Sequence, residues 1–199
     1  MTFSLKVLSL TTCIFLFSYS ITKCQNVDID WLRKINLERN KNLDGTFSVI
    51  SSSMAPVSIG IPVSVFGISL ITKDKQLRNK SIYIASSVAA NVVLTTALKY
   101  SLNRDRPFIT YPELEKLSDG GSPSFPSGHT STSFALATSI SLVYPKWYVI
   151  VPSFTWAGLV AYSRMDLGVH YPSDVLAGVV IGVGTAYLAY KLEKKYLKL

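Results

Sequence analysis

Histidine occurs twice in 199 residues, and each copy stands among residues that could serve proton transfer or nucleophilic attack. His129 closes the run "PSGH", and His170 opens the run "HYPSD", which ends on Asp174 four residues later. That spacing lets a carboxylate take the proton-bearing nitrogen of the imidazole, fix its tautomer and leave the other nitrogen free to attack. His129 is then left as a general acid. Phosphoryl transfer needs that division of roles, a nucleophile or activated water on one side and an acid for the leaving oxygen on the other.

Cations stand near both histidines. Lys99 and Arg106 are seven residues apart, about two helical turns, which places both on one face. Arg164 lies six residues before His170. Taken singly, each has a plain structural use: a histidine at a helix start is ordinarily a surface or capping residue, and a lysine near an apolar block snorkels to the membrane boundary. The chemistry requires that the chain bring them together.

The elements that must do so are apolar and long. Hydrophobic residues make up 48% of the chain and charged residues 16%, with the apolar content in blocks, which favours the membrane class. A length of 199 residues suits one compact unit. The net charge of +8 comes from lysines and arginines at block ends, without a basic face interleaved with aromatics. It predicts contact with anionic lipid and no nucleic acid partner. Cys13 and Cys24 offer neither a disulfide framework nor metal-ligand spacing, so no metal and no cofactor is expected.

Residues 1–24 carry Lys6, an apolar run and small residues after it, the pattern of a signal peptide or of a short first transmembrane helix. Residues 25–46 follow, with Val27, Trp31 and Ile35 at helical spacing, Leu32 beside them, and Arg33, Lys34, Glu38 and Arg39 opposite. They read as an amphipathic helix lying on a bilayer or packed on the protein's own bundle. The core, residues 47–199, holds five apolar blocks: 47–72, 81–102, 128–144, 147–162 and 174–190. Pro152 predicts a kink in the fourth, and Gly178 and Gly182 permit close helix packing in the fifth.

"KDKQLRNK" at 73–80, Lys146 and the tail "KLEKKYLKL" are all cytoplasmic by the positive-inside rule. The alternate connections, 25–46, 103–127 and 163–173, then face outward. Lys99, Arg106, Ser127, Gly128, His129, Arg164, His170 and Asp174 all fall at that outer face. Charges so close to apolar spans are costly and mark a functional site. Three cations and the positive ends of two helices suit an anion with several oxygens, and phosphate fits best. Ser127 can cap its helix and donate to an oxygen, while Gly128 lets the backbone approach without a Cβ.

"KYSLNRDRP", "PSGH" and "SRMDLGVHYPSD" together resemble the three signature motifs of the type 2 phosphatidic acid phosphatase superfamily, in order and with intact internal spacing. The resemblance spans roughly residues 85–190. It implies an all-α integral-membrane helical bundle of about five to six transmembrane helices, a phosphohistidine on His170 with Asp174 as its partner, and His129 as acid to the leaving group. Lys99, Arg106, Ser127, Gly128 and Arg164 would hold the phosphate, and the family needs no metal. The implied substrate is a phospholipid or polyprenyl phosphate: undecaprenyl pyrophosphate, lipid A, phosphatidylglycerophosphate or phosphatidic acid.

The expected setting is a bacterial inner membrane with the active site facing the periplasm and no obligate protein partner. Two rivals share the scaffold, a vanadium-dependent haloperoxidase and a non-catalytic lipid-phosphate binding protein. Arg104 and Asp105 fall outside the motifs and read as a local ion pair or rim charges, and Tyr162 and Tyr171 as interfacial aromatics. The long loop 108–125 is expected to rim the site.

Overall fold

The computed structural model describes residues 27–197, and the segment expected to be a signal or first helix lies outside them. Among the described residues every regular element is helical. Helix α1 covers 27–37, followed by a 3-10 turn at Lys41–Leu43. Then come α2 (Asp44–Ser52), α3 (Met54–Ile71), α4 (Lys75–Leu102), the short α5 (Pro107–Thr110), α6 (Gly128–Val143), α7 (Trp147–Asp166) and α8 (Pro172–Leu197).

Local chemistry sets the helix ends. Asp74 caps α4 by accepting from the N–H groups of Gln76 and Leu77, and Asn103 ends it in the left-handed conformation that a small amide side chain tolerates. Ser127 caps α6, and Pro172 occupies the first turn of α8, where its missing N–H costs nothing. Between α7 and α8 the chain turns at Gly168, with φ at +70°. A Cβ there would strike the Glu115 carbonyl and come within 2.9 Å of Asn36 Nδ2, so the position excludes other residues on two counts.

Helix α6 is the axis of the bundle, packed most heavily on α8, then on α7 and α4. Three stretches, Lys41–Ile71, Lys75–Thr110 and Pro172–Lys194, are long and apolar enough to cross a membrane. Helix α6 is not among them. Its 16 residues reach about 24 Å, short of a hydrocarbon core of about 30 Å. It is also dense in Ser and Thr, which pair across the interface: Ser131 with Thr95 at 3.0 Å and Ser139 with Ser87 at 2.8 Å. A helix sheathed by others buries its hydroxyls in interhelical bonds and needs no lipid-facing apolar surface. The first apolar block, 47–72, divides at Ser53 into α2 and α3.

Helix α1 departs from its expected seam. Val27 and Trp31 are exposed, and the inward stripe is Asp28, Ile29, Leu32 and Asn36. Ile29 and Leu32 join Leu114 and Tyr171 in a small core of their own. Asn36 makes the docking specific: its amide donates to the carbonyls of Glu115 (3.0 Å) and Asp166 (2.8 Å) and accepts from the Glu115 N–H (2.9 Å). Helix α1 therefore packs on the bundle and on the loop that follows α5.

Candidate active site

The end of the bundle formed by the C-termini of α4 and α7 and the N-termini of α6 and α8 gathers all eight residues singled out in the sequence. Lys99 sits in the last turn of α4, and Arg164 in the last turn of α7. His129 is the second residue of α6, after the Ser127 cap and Gly128, and Asp174 lies in the first turn of α8. His129 is within Coulombic reach of Arg164, His170, Arg106 and Lys99. A Cβ on Gly128 would stand 3.6 Å from Lys99 Cε, so this glycine faces the lysine stem.

The cations are aimed by oxygens of the polypeptide. Lys99 Nζ donates to the Pro123 carbonyl (2.6 Å) and the Ser124 carbonyl (3.3 Å). Arg106 donates from Nε to the Ser122 carbonyl (2.8 Å) and from Nη1 to the Val169 carbonyl (3.0 Å). Arg164 donates from Nη1 to the hydroxyls of Ser51 and Ser118, and its buried Nε has no acceptor. All three are buried, yet among the described residues none makes an ion pair with a carboxylate. Asp174 and Asp119 act on them only through space, and an anion brought by a ligand supplies the direct partner that buried cations need.

The second charge pattern surrounds Asp174, which is fully buried. Its Oδ2 accepts from Ser124 Oγ at 2.5 Å and from the Tyr171 N–H at 3.0 Å, and lies 3.4 Å from His170 Nδ1. Its Oδ1 accepts from Arg104 Nη1 at 2.7 Å. Burial pushes the His170 imidazole down to about 4, against the pull of Asp174, so the ring is neutral at physiological pH.

A cavity of about 720 Å³, lined by Ser51, Lys116, Ser118, Asp119, His129 and Arg164, opens on this cluster. A second, of about 310 Å³, adjoins the other side of His129 and is bounded by Met54, Val92, Thr95, Lys99 and Gly128. Val92 also lines an apolar groove of about 880 Å³ between α3 and α4. His129 borders both of these first two cavities, while His170 is only 1% exposed behind them.

Two expectations need correction and a third is extended. Arg104 is no local partner of Asp105; it bonds Asp28 at 2.9 Å and Asp174 at 2.7 Å, residues far from it in sequence. Tyr171 is no interfacial aromatic, being 5% exposed with the Arg104 guanidinium 3.9 Å from its ring centre. The loop after α5 rims the site through Lys116, Ser118 and Asp119, but it also supplies the carbonyls that aim Lys99 and Arg106. Asp28, Asn36 and Ser124 escaped the sequence argument. The stripe Ile29, Leu32, Asn36, at three- and four-residue steps, carries the signal for Asn36, whereas nothing local marks Ser124.

The arrangement can hold a tetrahedral oxyanion between three cations, with an oriented neutral imidazole and a second imidazole at its edge. Residues 80–198 match the model of the PAP2 superfamily, a stretch that includes all eight residues. An undecaprenyl-diphosphatase of Sulfolobus acidocaldarius is 31% identical over 175 residues, covering 85% of this chain and 81% of that protein. A lipid A 4'-phosphatase of Porphyromonas gingivalis is 28% identical over 160 residues, covering 75% of this chain and 66% of that protein. The fold is shared with the transmembrane PAP2-type phosphatidylglycerolphosphate phosphatase of Bacillus subtilis, at a TM-score of 0.72 and 22% identity over 95% of this chain and 96% of that one. A helical membrane bundle with this motif set and these relatives belongs to the PAP2 superfamily, as a membrane lipid phosphatase.

Proposed function

We propose that the chain releases phosphate from a polyprenyl or glycolipid phosphate through a phosphohistidine on His170, at the outer face of the membrane. The observation that carries this reading is the trio Lys99, Arg106 and Arg164, buried together without a carboxylate partner beside two histidines. In the first step the Nε2 lone pair of His170 attacks the terminal phosphorus, and the bond from that phosphorus to the leaving oxygen breaks, the lipid's own oxygen in a monophosphate or the bridging oxygen in a diphosphate. That oxygen takes its proton from His129. Water then attacks phosphorus, giving its proton to His129, while the electrons of the P–N bond return to His170. Asp174 holds Nδ1–H and stabilises the imidazolium-like charge of the intermediate without taking the proton.

Undecaprenyl diphosphate is the first candidate, because the relative that acts on it covers most of both chains, and lipid A is the second. The apolar groove between α3 and α4 adjoins the cavity at Lys99 and His129, a course along which a lipid tail can lie in the bilayer while its phosphate reaches the cations. The periplasmic orientation is supported by the opposite end of the bundle, where Lys73, Lys75, Arg78, Lys80 and Lys146 cluster.

The test is phosphate release in detergent from undecaprenyl diphosphate, lipid A, phosphatidylglycerophosphate and phosphatidic acid, with wild type beside His170→Ala. Release that depends on His170 is expected, fastest on undecaprenyl diphosphate. Release that survives His170→Ala overturns the mechanism.

A further inference from the structure

Arg104 lies between two motif residues and carries no role in the scheme above, yet two carboxylates, a hydroxyl and an aromatic ring hold it. Its guanidinium donates from Nη1 to Asp174 Oδ1 (2.7 Å) and Ser173 Oγ (2.7 Å), and from Nη2 to Asp28 Oδ2 (2.9 Å). One face of the same plane lies over the Tyr171 ring. Asp28, on α1, completes the cluster by accepting from the Ser173 N–H (2.8 Å) and Ser173 Oγ (2.5 Å).

We infer that Arg104 is a positioning residue for the His170–Asp174 pair, and that Asp28 fixes Arg104 from the surface helix. The inference rests on the reading of His170 as nucleophile. Asp174 has two oxygens and only one can serve the imidazole. With Oδ1 occupied by the fork of Arg104, Oδ2 is the oxygen left toward His170 Nδ1, 3.4 Å away. The guanidinium also compensates the charge of a carboxylate that is 0% exposed, so Asp174 is an acceptor of the imidazole proton and not its owner. Asp28 in turn offsets the guanidinium, which otherwise would draw the carboxylate away from the ring. Arg suits the task because its rigid planar fork bridges two carboxylates and stacks on an aromatic ring; a lysine ammonium can do neither.

A clamp for α1 alone would predict the same contacts, so the test must separate positioning from support. Full-length wild type, Arg104→Met, Arg104→Lys, Asp28→Asn and His170→Ala are compared in detergent for kcat and KM on undecaprenyl diphosphate, the pH profile of kcat, and the melting temperature. Arg104→Met is expected to lower kcat by about tenfold to a hundredfold, the usual effect of losing a group that orients a reacting side chain, with KM within about threefold. Its acid limb should move to higher pH, because without the cation the carboxylate favours the protonated ring. Arg104→Lys should return that limb toward wild type while recovering only part of kcat. Asp28→Asn should lower kcat less than Arg104→Met. If Arg104→Met does not fold, Arg104→Lys carries the test through its reduced kcat and unmoved limb. Variants that melt lower but keep the wild-type kcat and limb overturn the inference and leave the reading of the site intact. His170→Ala with wild-type release overturns both.

Discussion

The Ser127 N–H donates to the carbonyl of Asp174 at 3.0 Å, joining the first turns of α6 and α8 main chain to main chain. This bond sets the spacing between the element that carries His129 and the element that carries the partner of His170. Both helix N-termini consequently face the volume enclosed by Lys99, Arg106 and Arg164, where their dipoles add to the positive field. The bond can form because α8 presents Gly178 and Gly182 to α6.

Gly178→Ala tests that approach. A Cβ at 178 would stand 2.9 Å from the Ser127 carbonyl and 3.0 Å from Thr130 Cβ, against backbone that cannot rotate aside. Alanine gains about 1 kcal/mol in helix propensity, while overpacking costs about 1–3 kcal/mol, so the clash should dominate. The variant should melt lower in detergent and lose phosphate release. Gly184→Ala, where an added Cβ meets nothing within 4 Å, should melt at or above wild type.

His129 borders the cavities, whereas His170 lies behind them, and that separation predicts different responses to the leaving group. An acid is needed only when the departing oxygen is basic. His129→Ala should therefore lower kcat on a lipid monophosphate by about a hundredfold to ten-thousandfold, but lower the burst of phosphohistidine from p-nitrophenyl phosphate far less. His170→Ala should abolish both. Equal losses in His129→Ala on the two substrates would remove its role as acid.

Burial holds His170 at about 4, below its ordinary 6.5, and the sign of the consequence follows. Between those values the unfolded chain binds a proton that the folded chain does not, so stability falls as pH drops through the window. Above it the ring is neutral in both states and the effect vanishes. Melting temperature should decline from pH 6.5 toward pH 4 in wild type and decline less in His170→Gln. The rate of phosphohistidine formation should lose its His170 limb near pH 4, with no inflection near 6.5.

Motif spacing made the candidate site legible because its residues cluster in three short segments, each at the end of a helix. Lys99 and Arg106 bracket the end of α4, and His170 and Asp174 bracket the start of α8, so local geometry already placed them together. The supporting contacts were not legible. Ser124 meets Asp174 across 50 residues and Asp28 meets Ser173 across 145, distances over which one-dimensional pattern carries no information. That α6 is the enclosed helix was not legible in its apolar block for a related reason. Its apolar content and helical period are those of a span, but its hydroxyls identify the helix that the others enclose only once Thr95 and Ser87 stand opposite them.

Glu115 ties the loop over the site to the N-terminal region, and its pH response is open to test. Its carboxylate accepts from Lys41 Nζ (2.7 Å) and Arg39 Nη2 (2.5 Å), and these hydrogen bonds hold it down at about 2, below its ordinary 4.5. A depressed carboxylate contributes stability above its unfolded pKa and loses it as pH falls toward the folded value. The loop should therefore be held at neutral pH and released progressively from about pH 4.5 down to about 2. Downstream of Glu115 the same loop carries Lys116, Ser118 and Asp119 on the cavity wall, and Ser124 against His170. Glu115→Gln removes the charge but keeps the side-chain size, so it should raise tryptic cleavage at Lys116 at neutral pH and raise KM more than it lowers kcat. Pepsin cleavage within 111–127 should climb with acid in wild type and show little further climb in Glu115→Gln. Equal acid sensitivity in the two proteins would show that the loop is held by Asn36 and the carbonyl contacts of Lys99 and Arg106, without a measurable share from this ion pair.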